Sequence, residues 1–219
     1  MKTIAMIPAR MGSQRLKKKN LRELKGVPLI TRAIRKCIDA HCFDAIYVNS
    51  EDEAFRAIAE AEGVQFYQRP ELLGDNNATS EDYITDFLRG HDCDHIVQVH
   101  SIAPLLSVDE VRQFTEEFVK SGDDVYLSCI NDQIEVALNG KPVNFTFDEK
   151  TNSQDLTPTQ RVTWSITGWR RETFLKAKDN QQTATYAGTI GFFAVSAFSG
   201  HVIKTEADLK IAEALLDTM

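Results

Sequence analysis

Ile4-Ala5-Met6-Ile7-Pro8-Ala9-Arg10-Met11-Gly12-Ser13-Gln14-Arg15-Leu16-Lys17-Lys18-Lys19-Asn20 decides how the rest of the chain is read. Residues 4–7 are an apolar run suited to a buried first strand. Pro8 has no N–H to donate, so the ladder is expected to stop there. Gly12 and Ser13 then let the backbone turn tightly and come close to a ligand. Residues 1–22 carry seven Lys/Arg and no acid, although the whole chain has a net charge of −7. A basic loop just past the carboxyl end of a strand suits a small polyanion held by backbone N–H groups and point charges. The loop matches neither the Walker pattern nor the G-x-G-x-x-G dinucleotide turn.

Outward from this loop, the pattern alternates between strand and helix. Pro28 precedes Leu29, Ile30, Ala33, Ile34, Cys37 and Ile38, which share one helix face. Residues 45–48 read as a second strand, 54–61 as a helix that Gly63 ends, and 64–67 as a third strand. This alternation predicts right-handed βαβ units and an α/β, mostly parallel sheet flanked by helices. Thr79 or Ser80 caps the next helix, residues 95–99 form a fourth strand, 108–119 a helix and 125–129 a strand. The period then changes. Residues 134–138 and 143–147 flank Asn139-Gly140, which predicts an antiparallel hairpin. Residues 148–160 are polar and turn-rich, residues 188–195 make a late strand, and Thr205-Glu206-Ala207-Asp208 is a capping box before a terminal helix.

The 219 residues, 42% hydrophobic and 26% charged, predict a single domain with a sizeable core spanning 1–219. No apolar run approaches the ~18 residues of a membrane span, and no signal pattern opens the chain. Cys37, Cys42, Cys93 and Cys129 have no metal spacing and read as reduced thiols of a cytoplasmic protein. Net negative charge argues against nucleic acid as a partner.

The string Ile7-Pro8-Ala9-Arg10-x-Gly12-Ser13-x-Arg15-x-x-x-Lys19-Asn20 resembles the opening signature of the sialic-acid (N-acylneuraminate) cytidylyltransferases, which join CMP from CTP to an acidic sugar. The resemblance implies a Rossmann-like nucleotidyltransferase fold and transfer of CMP from CTP to an acidic acceptor with release of pyrophosphate. It implies Arg10 and Lys19 at the triphosphate, with Ala9, Gly12, Ser13 and Asn20 around the nucleotide. Arg69, Ala78 and Ser80 match the family positions that enclose cytosine. A guanidinium donor for the base carbonyl, with small neighbours, suits a pyrimidine.

On the acceptor side the chain departs from the family. Its Q-P-T-S-P-L is here His100-Ser101-Ile102-Ala103-Pro104-Leu105, so His100 stands where a glutamine faces the sugar acid. Gln154, Asp155 and Leu156 match the family's R-R-Q-D-L-P, but Asn152 and Ser153 replace its arginines. Ser165-Ile166-Thr167-Gly168-Trp169 stands for a family strand in an arm exchanged between subunits, so a homodimer with contacts near 130–170 is implied. Mg²⁺ is the implied cofactor. Aligned on Thr205, the family's I-D-I-D-T falls on His201-Val202-Ile203-Lys204-Thr205, placing Val202 and Lys204 where two metal-binding aspartates stand. The protein ligands of a metal therefore stay unknown. The acceptor also stays open: sialic acid, a related nine-carbon sugar acid, Kdo or a phosphonate. A CTP-binding protein without transfer activity is the alternative. Because the CTP-side residues are intact, an active enzyme with a changed acceptor, contacting His100, Gln154, Asp155 and Lys204, is the expectation.

Overall fold

The computed structural model describes residues 1–218. In chain order its strands and helices are β1 (Thr3–Pro8), β2 (Glu23–Leu24), β3 (Val27–Pro28), α1 (Leu29–Ala40), β4 (Ala45–Ser50), α2 (Ala54–Ala61), β5 (Gln65–Gln68) and α3 (Ser80–Gly90). They continue with β6 (His95–Val99), α4 (Val108–Ser121), β7 (Val125–Asp132), β8 (Ala137–Leu138), β9 (Lys141–Pro142), β10 (Thr159–Arg170), α5 (Arg171–Asp179), β11 (Ile190–Ala194) and α6 (Glu206–Leu216). Seven strands form one sheet in the order β11-β7-β10-β6-β1-β4-β5. All neighbours in it are parallel except β10, which runs antiparallel to both β6 and β7.

The pleat of β1 sorts its side chains between two layers. Ala5 and Ile7 face the layer of α1, α2 and α4, packing with Ile34, Phe55 and Phe114. Ile4 and Met6 face α3 and α5, packing with Phe87, Phe174 and Trp169. A third apolar cluster, Leu16, Leu24, Leu29, Ile203, Leu209 and Ala212, joins α6 to the segment that follows the basic loop. The strand order reverses beside β1: the chain moves outward to β4 and β5, then returns to β6 on the other side. A crevice opens at such a switch point, outside the carboxyl ends of the strands.

Three expectations need correction. Pro8 belongs to β1, and the ladder runs one residue further, because the Ala9 N–H donates to the Asn49 carbonyl at 2.9 Å. The Asn-Gly hairpin is present, with φ of 51° and 77° at Asn139 and Gly140, but its arms β8 and β9 are two residues each. Asn144 ties the arm together instead, accepting from the Val136 N–H and donating to the Ile134 and Thr157 carbonyls. Exposed Ile134, Leu138, Val143 and Phe147 find no core to pack on, which removes the drive to extend the ladder. The largest difference is β10, a twelve-residue strand where the sequence suggested turns followed by a short strand. Its polar first residues, Thr159, Gln160 and Arg161, pair with Asp132, Asn131 and Ile130 at the end of β7, and no apolar alternation announces them. Between Val162 and Thr167 the register shifts, with Trp164 at φ 59°.

Candidate active site

The crevice at the end of β1 is a cavity of about 490 Å³. Its first wall is the basic loop. Asn20, 5% exposed, donates from Nδ2 to the Arg10 carbonyl at 3.0 Å and accepts from the Ser101 hydroxyl at 2.7 Å. One amide thus fastens the loop after β1 to the end of β6. Lys18, at φ 50°, turns the chain into the short helical turn Lys19–Leu21.

The second wall follows β5. Arg69 is 3% exposed. Its Nη2 donates to the Ala9 carbonyl at 3.0 Å and to Glu51 Oε2 at 2.7 Å, and its guanidinium lies 4.9 Å from the centre of the Tyr83 ring. Glu51 also accepts from the Met11 N–H at 2.9 Å. Gly74 makes room for Glu51, since a Cβ there would meet its carboxyl carbon at 2.3 Å. Asp75 Oδ1 accepts from the backbone N–H groups of Asn77 and Ala78, folding the loop that brings Ala78 and Ser80 to the cavity. Those two N–H groups hold the Asp75 carboxyl below the usual carboxylate range. Arg10 reaches across to this loop, donating to the Asp75 carbonyl and to Asn76 Oδ1 at 3.3 and 3.2 Å.

The third wall comes from β6 and the approach to α6. The bulge of β10 directs the Ser165 carbonyl to the His100 N–H at 3.2 Å. The His100 ring nitrogen Nε2 meets the Gln98 amide. Burial, then the nearby Lys19 ammonium, lowers the His100 pKa to about 4, so the ring is neutral at physiological pH. Ile203, fully buried against Leu16 and Leu24, donates its N–H to the Ile102 carbonyl at 2.8 Å. This contact delivers Lys204 to the cavity wall.

Arg10, Arg15, Lys19, Arg69 and Lys204 therefore line one cavity with a single carboxylate, Asp75. Burial first, then Arg15, Arg10 and Lys204, lowers the Lys19 pKa. A site that already resists its own positive charge is arranged for a polyanion.

Residues 4–218 match the profile of a family described as cytidylyltransferase. The chain belongs to the cytidylyltransferase family. It is 29% identical over 170 residues to the pseudaminic acid cytidylyltransferase of Campylobacter jejuni subsp. jejuni serotype O:2, covering 72% of this chain and 73% of that protein. It is also 29% identical over 197 residues to the N-acylneuraminate cytidylyltransferase of Streptococcus agalactiae serotype V, covering 85% of this chain and 48% of that one. A solved CMP:2-keto-3-deoxy-manno-octonic acid synthetase complexed with CTP superposes with a TM-score of 0.76 at 18% identity, covering 100% of this chain and 99% of that one. The fold is thus that of a nucleotidyltransferase, as the opening signature implied.

Of the residues singled out from sequence, this cytidylyltransferase brings Ala9, Arg10, Ser13, Lys19, Asn20, Arg69, Ala78, Ser80, His100 and Lys204 to one cavity. It does not bring Gly12, Gln154 or Asp155 there. Gly12 is exposed, and nothing stands within 4 Å of where its Cβ would be. Gln154 and Asp155 are exposed in a short helical turn on the arm, which Gln133 holds through the Gln154 and Leu156 carbonyls. Tyr83, Asp75 and Ser101 also line the cavity and escaped the sequence reading. Tyr83 was legible in principle, being three residues after Ser80 on the same helix face.

The residues present do not fit a protein-held Mg²⁺, which takes one or two carboxylates beside phosphate and water. Glu206 forms a two-pronged pair with Arg22 at 2.7 and 2.8 Å. Asp208 Oδ2 caps α6, accepting from the N–H groups of Lys204 and Thr205 and from the Thr205 hydroxyl. Among the described residues, no three His, Cys, Asp or Glu side chains form a metal-binding group.

Proposed function

We propose that this cytidylyltransferase transfers CMP from CTP to a nonulosonic-type sugar acid and releases pyrophosphate. The observation that carries the reading is the ring of Arg10, Arg15, Lys19, Arg69 and Lys204 around the cavity at the end of β1. The names of its pseudaminic acid and N-acylneuraminate relatives support the acceptor class. A hydroxyl oxygen of the acceptor attacks the α-phosphorus of CTP, the bond to the β-phosphate oxygen breaks in line, and the hydroxyl proton leaves to solvent. Positioning and charge neutralisation carry such a transfer. Arg10 and Lys19 take the triphosphate, aided by the backbone and hydroxyl of Ser13. Ala78, Ser80 and the Arg69–Tyr83 pair enclose the base, and Asn20 holds the loop against β6. His100 faces the acceptor, and Lys204 stands where the acceptor meets the phosphates.

The chain works as one domain, with residues of about 130–170 as a dimerisation excursion. Exposed Ile134, Leu138, Val143 and Phe147 on the arm support a homodimer, in which Gln154 and Asp155 serve the partner's acceptor side. Four free cysteines support a cytoplasmic setting, and no described helix is long and apolar enough to cross a membrane. The test is pyrophosphate release from CTP or UTP across a panel of sialic acid, pseudaminic acid, Kdo and phosphonates. Release with CTP and a nonulosonic acid, and little with UTP, is expected. Equal turnover of the two nucleotides, or a preference for a phosphonate, overturns the reading.

A further inference from the structure

The charges around the cavity do not suit a dication. Five cationic side chains line it, of which, among the described residues, only Arg69 is paired with an acid, Glu51, and its one lining carboxylate, Asp75, already accepts two backbone N–H groups through Oδ1. At the Lys204 corner both nearby acids are taken, Glu206 by Arg22 and Asp208 by the cap of α6. Lys204 itself is not a drifting surface residue at its root. Ile203 beside it is fully buried and donates its N–H to the Ile102 carbonyl, while the N–H groups of Lys204 and Thr205 both donate to Asp208 Oδ2, so the main chain is held on either side of the Lys204 Cα. Lys204 also contributes to lowering the Lys19 pKa, which places the two ammonium groups in one electrostatic neighbourhood.

We propose that the site binds CTP as the free triphosphate, with the Lys204 and Lys19 ammonium groups supplying the positive charge that a carboxylate-held divalent ion would otherwise bring. The proposal rests on reading the cavity as the CTP site. Two adjacent cations repel each other until an anion lies between them, so a fully charged triphosphate gains more here than one partly neutralised by metal. Lysine is a mobile point charge that can follow phosphate oxygens as charge moves toward the leaving group.

The experiment is calorimetric titration of the full chain with CTP, once in excess EDTA and once in excess Mg²⁺. The parent is expected to bind in EDTA at least as tightly as in Mg²⁺, within about threefold. Lys204→Ala should weaken binding in EDTA by about tenfold, equivalent to about 1.4 kcal/mol, and Mg²⁺ should then recover part of the loss. Lys204→Met, which keeps the apolar stem, should behave the same way and serves if the alanine variant does not fold. Lys17→Ala, outside the cavity, should change neither titration. Parent binding about tenfold tighter in Mg²⁺ than in EDTA overturns the proposal while leaving the CTP site in place. A parental Mg²⁺/EDTA ratio in both Lys204 variants removes Lys204 from the role. Binding under neither condition overturns the CTP assignment itself.

Discussion

Arg69→Met separates two roles that one side chain combines. The guanidinium and the Glu51 carboxylate are 2.7 Å apart, with side chains 2% and 11% exposed, and Arg69 also serves the Ala9 carbonyl. Methionine keeps most of the volume and leaves Glu51 as an enclosed charge. Removing one partner of a buried pair costs about 3–5 kcal/mol. Glu51 retains the Met11 N–H, which places the cost near the lower end, about 3 kcal/mol. In a domain of this size that lowers Tm by about 6–12 °C. Adding Glu51→Gln removes the stranded charge, so the double variant should melt several degrees above Arg69→Met alone. The assay is thermal melting of parent, both single variants and the double, each with and without CTP. CTP at about 100 times its Kd should stabilise the parent by about 2.7 kcal/mol. The double variant should recover stability yet show a clearly reduced shift with CTP, about 1.4 kcal/mol if its Kd rises about tenfold, because the base contact is gone while the triphosphate contacts remain. Arg69→Met melting within about 2 °C of the parent would refute the buried-pair argument. A full CTP shift in the double variant would reduce Arg69 to a scaffold residue.

Two further outcomes follow from the charges in the cavity. Lys19→Ala should lower kcat/KM by at least about tenfold, equivalent to about 1.4 kcal/mol, and an unchanged value would take Lys19 out of the site. His100 should make the parent acid-sensitive. Its folded pKa of about 4 lies below the ordinary 6.5, so between these values the unfolded chain binds a proton that the folded chain excludes. Stability is therefore lost as pH falls through that window, by up to about 3 kcal/mol. His100→Gln should flatten this slope in a pH series of denaturant melts, and parallel curves would sink the assignment.

The basic wall of the cavity and its Ala78–Ser80 corner were legible because each is local. Residues 4–20 place a strand, a turn and a cluster of cations within one short segment, and Ser80 and Ala78 adjoin a capped helix start. Helix periodicity and strand alternation report burial directly, so the order of elements up to β7 could be read in advance. Arg69 was legible as a candidate that the structure places on the cavity wall, but not as the partner of Glu51, because no pattern within one segment announces a pair across two strand ends.

What only the tertiary structure decided is where distant segments converge. Strand β10 is polar where it leaves the core, and only pairing with β7 makes it a strand. Lys204 reaches the cavity because Ile203 and Leu209 pack under Leu16 and Leu24, and Asn20 acquires its role by meeting Ser101. Gln154 and Asp155 fit a signature yet stand on an arm away from the cavity. Sequence alone determines propensity, local charge and the likeness of a motif, since these depend on neighbours along the chain. Which cations share a cavity, and which carboxylates are already bonded, depends on side chains that meet only after the sheet and α6 have closed on one another.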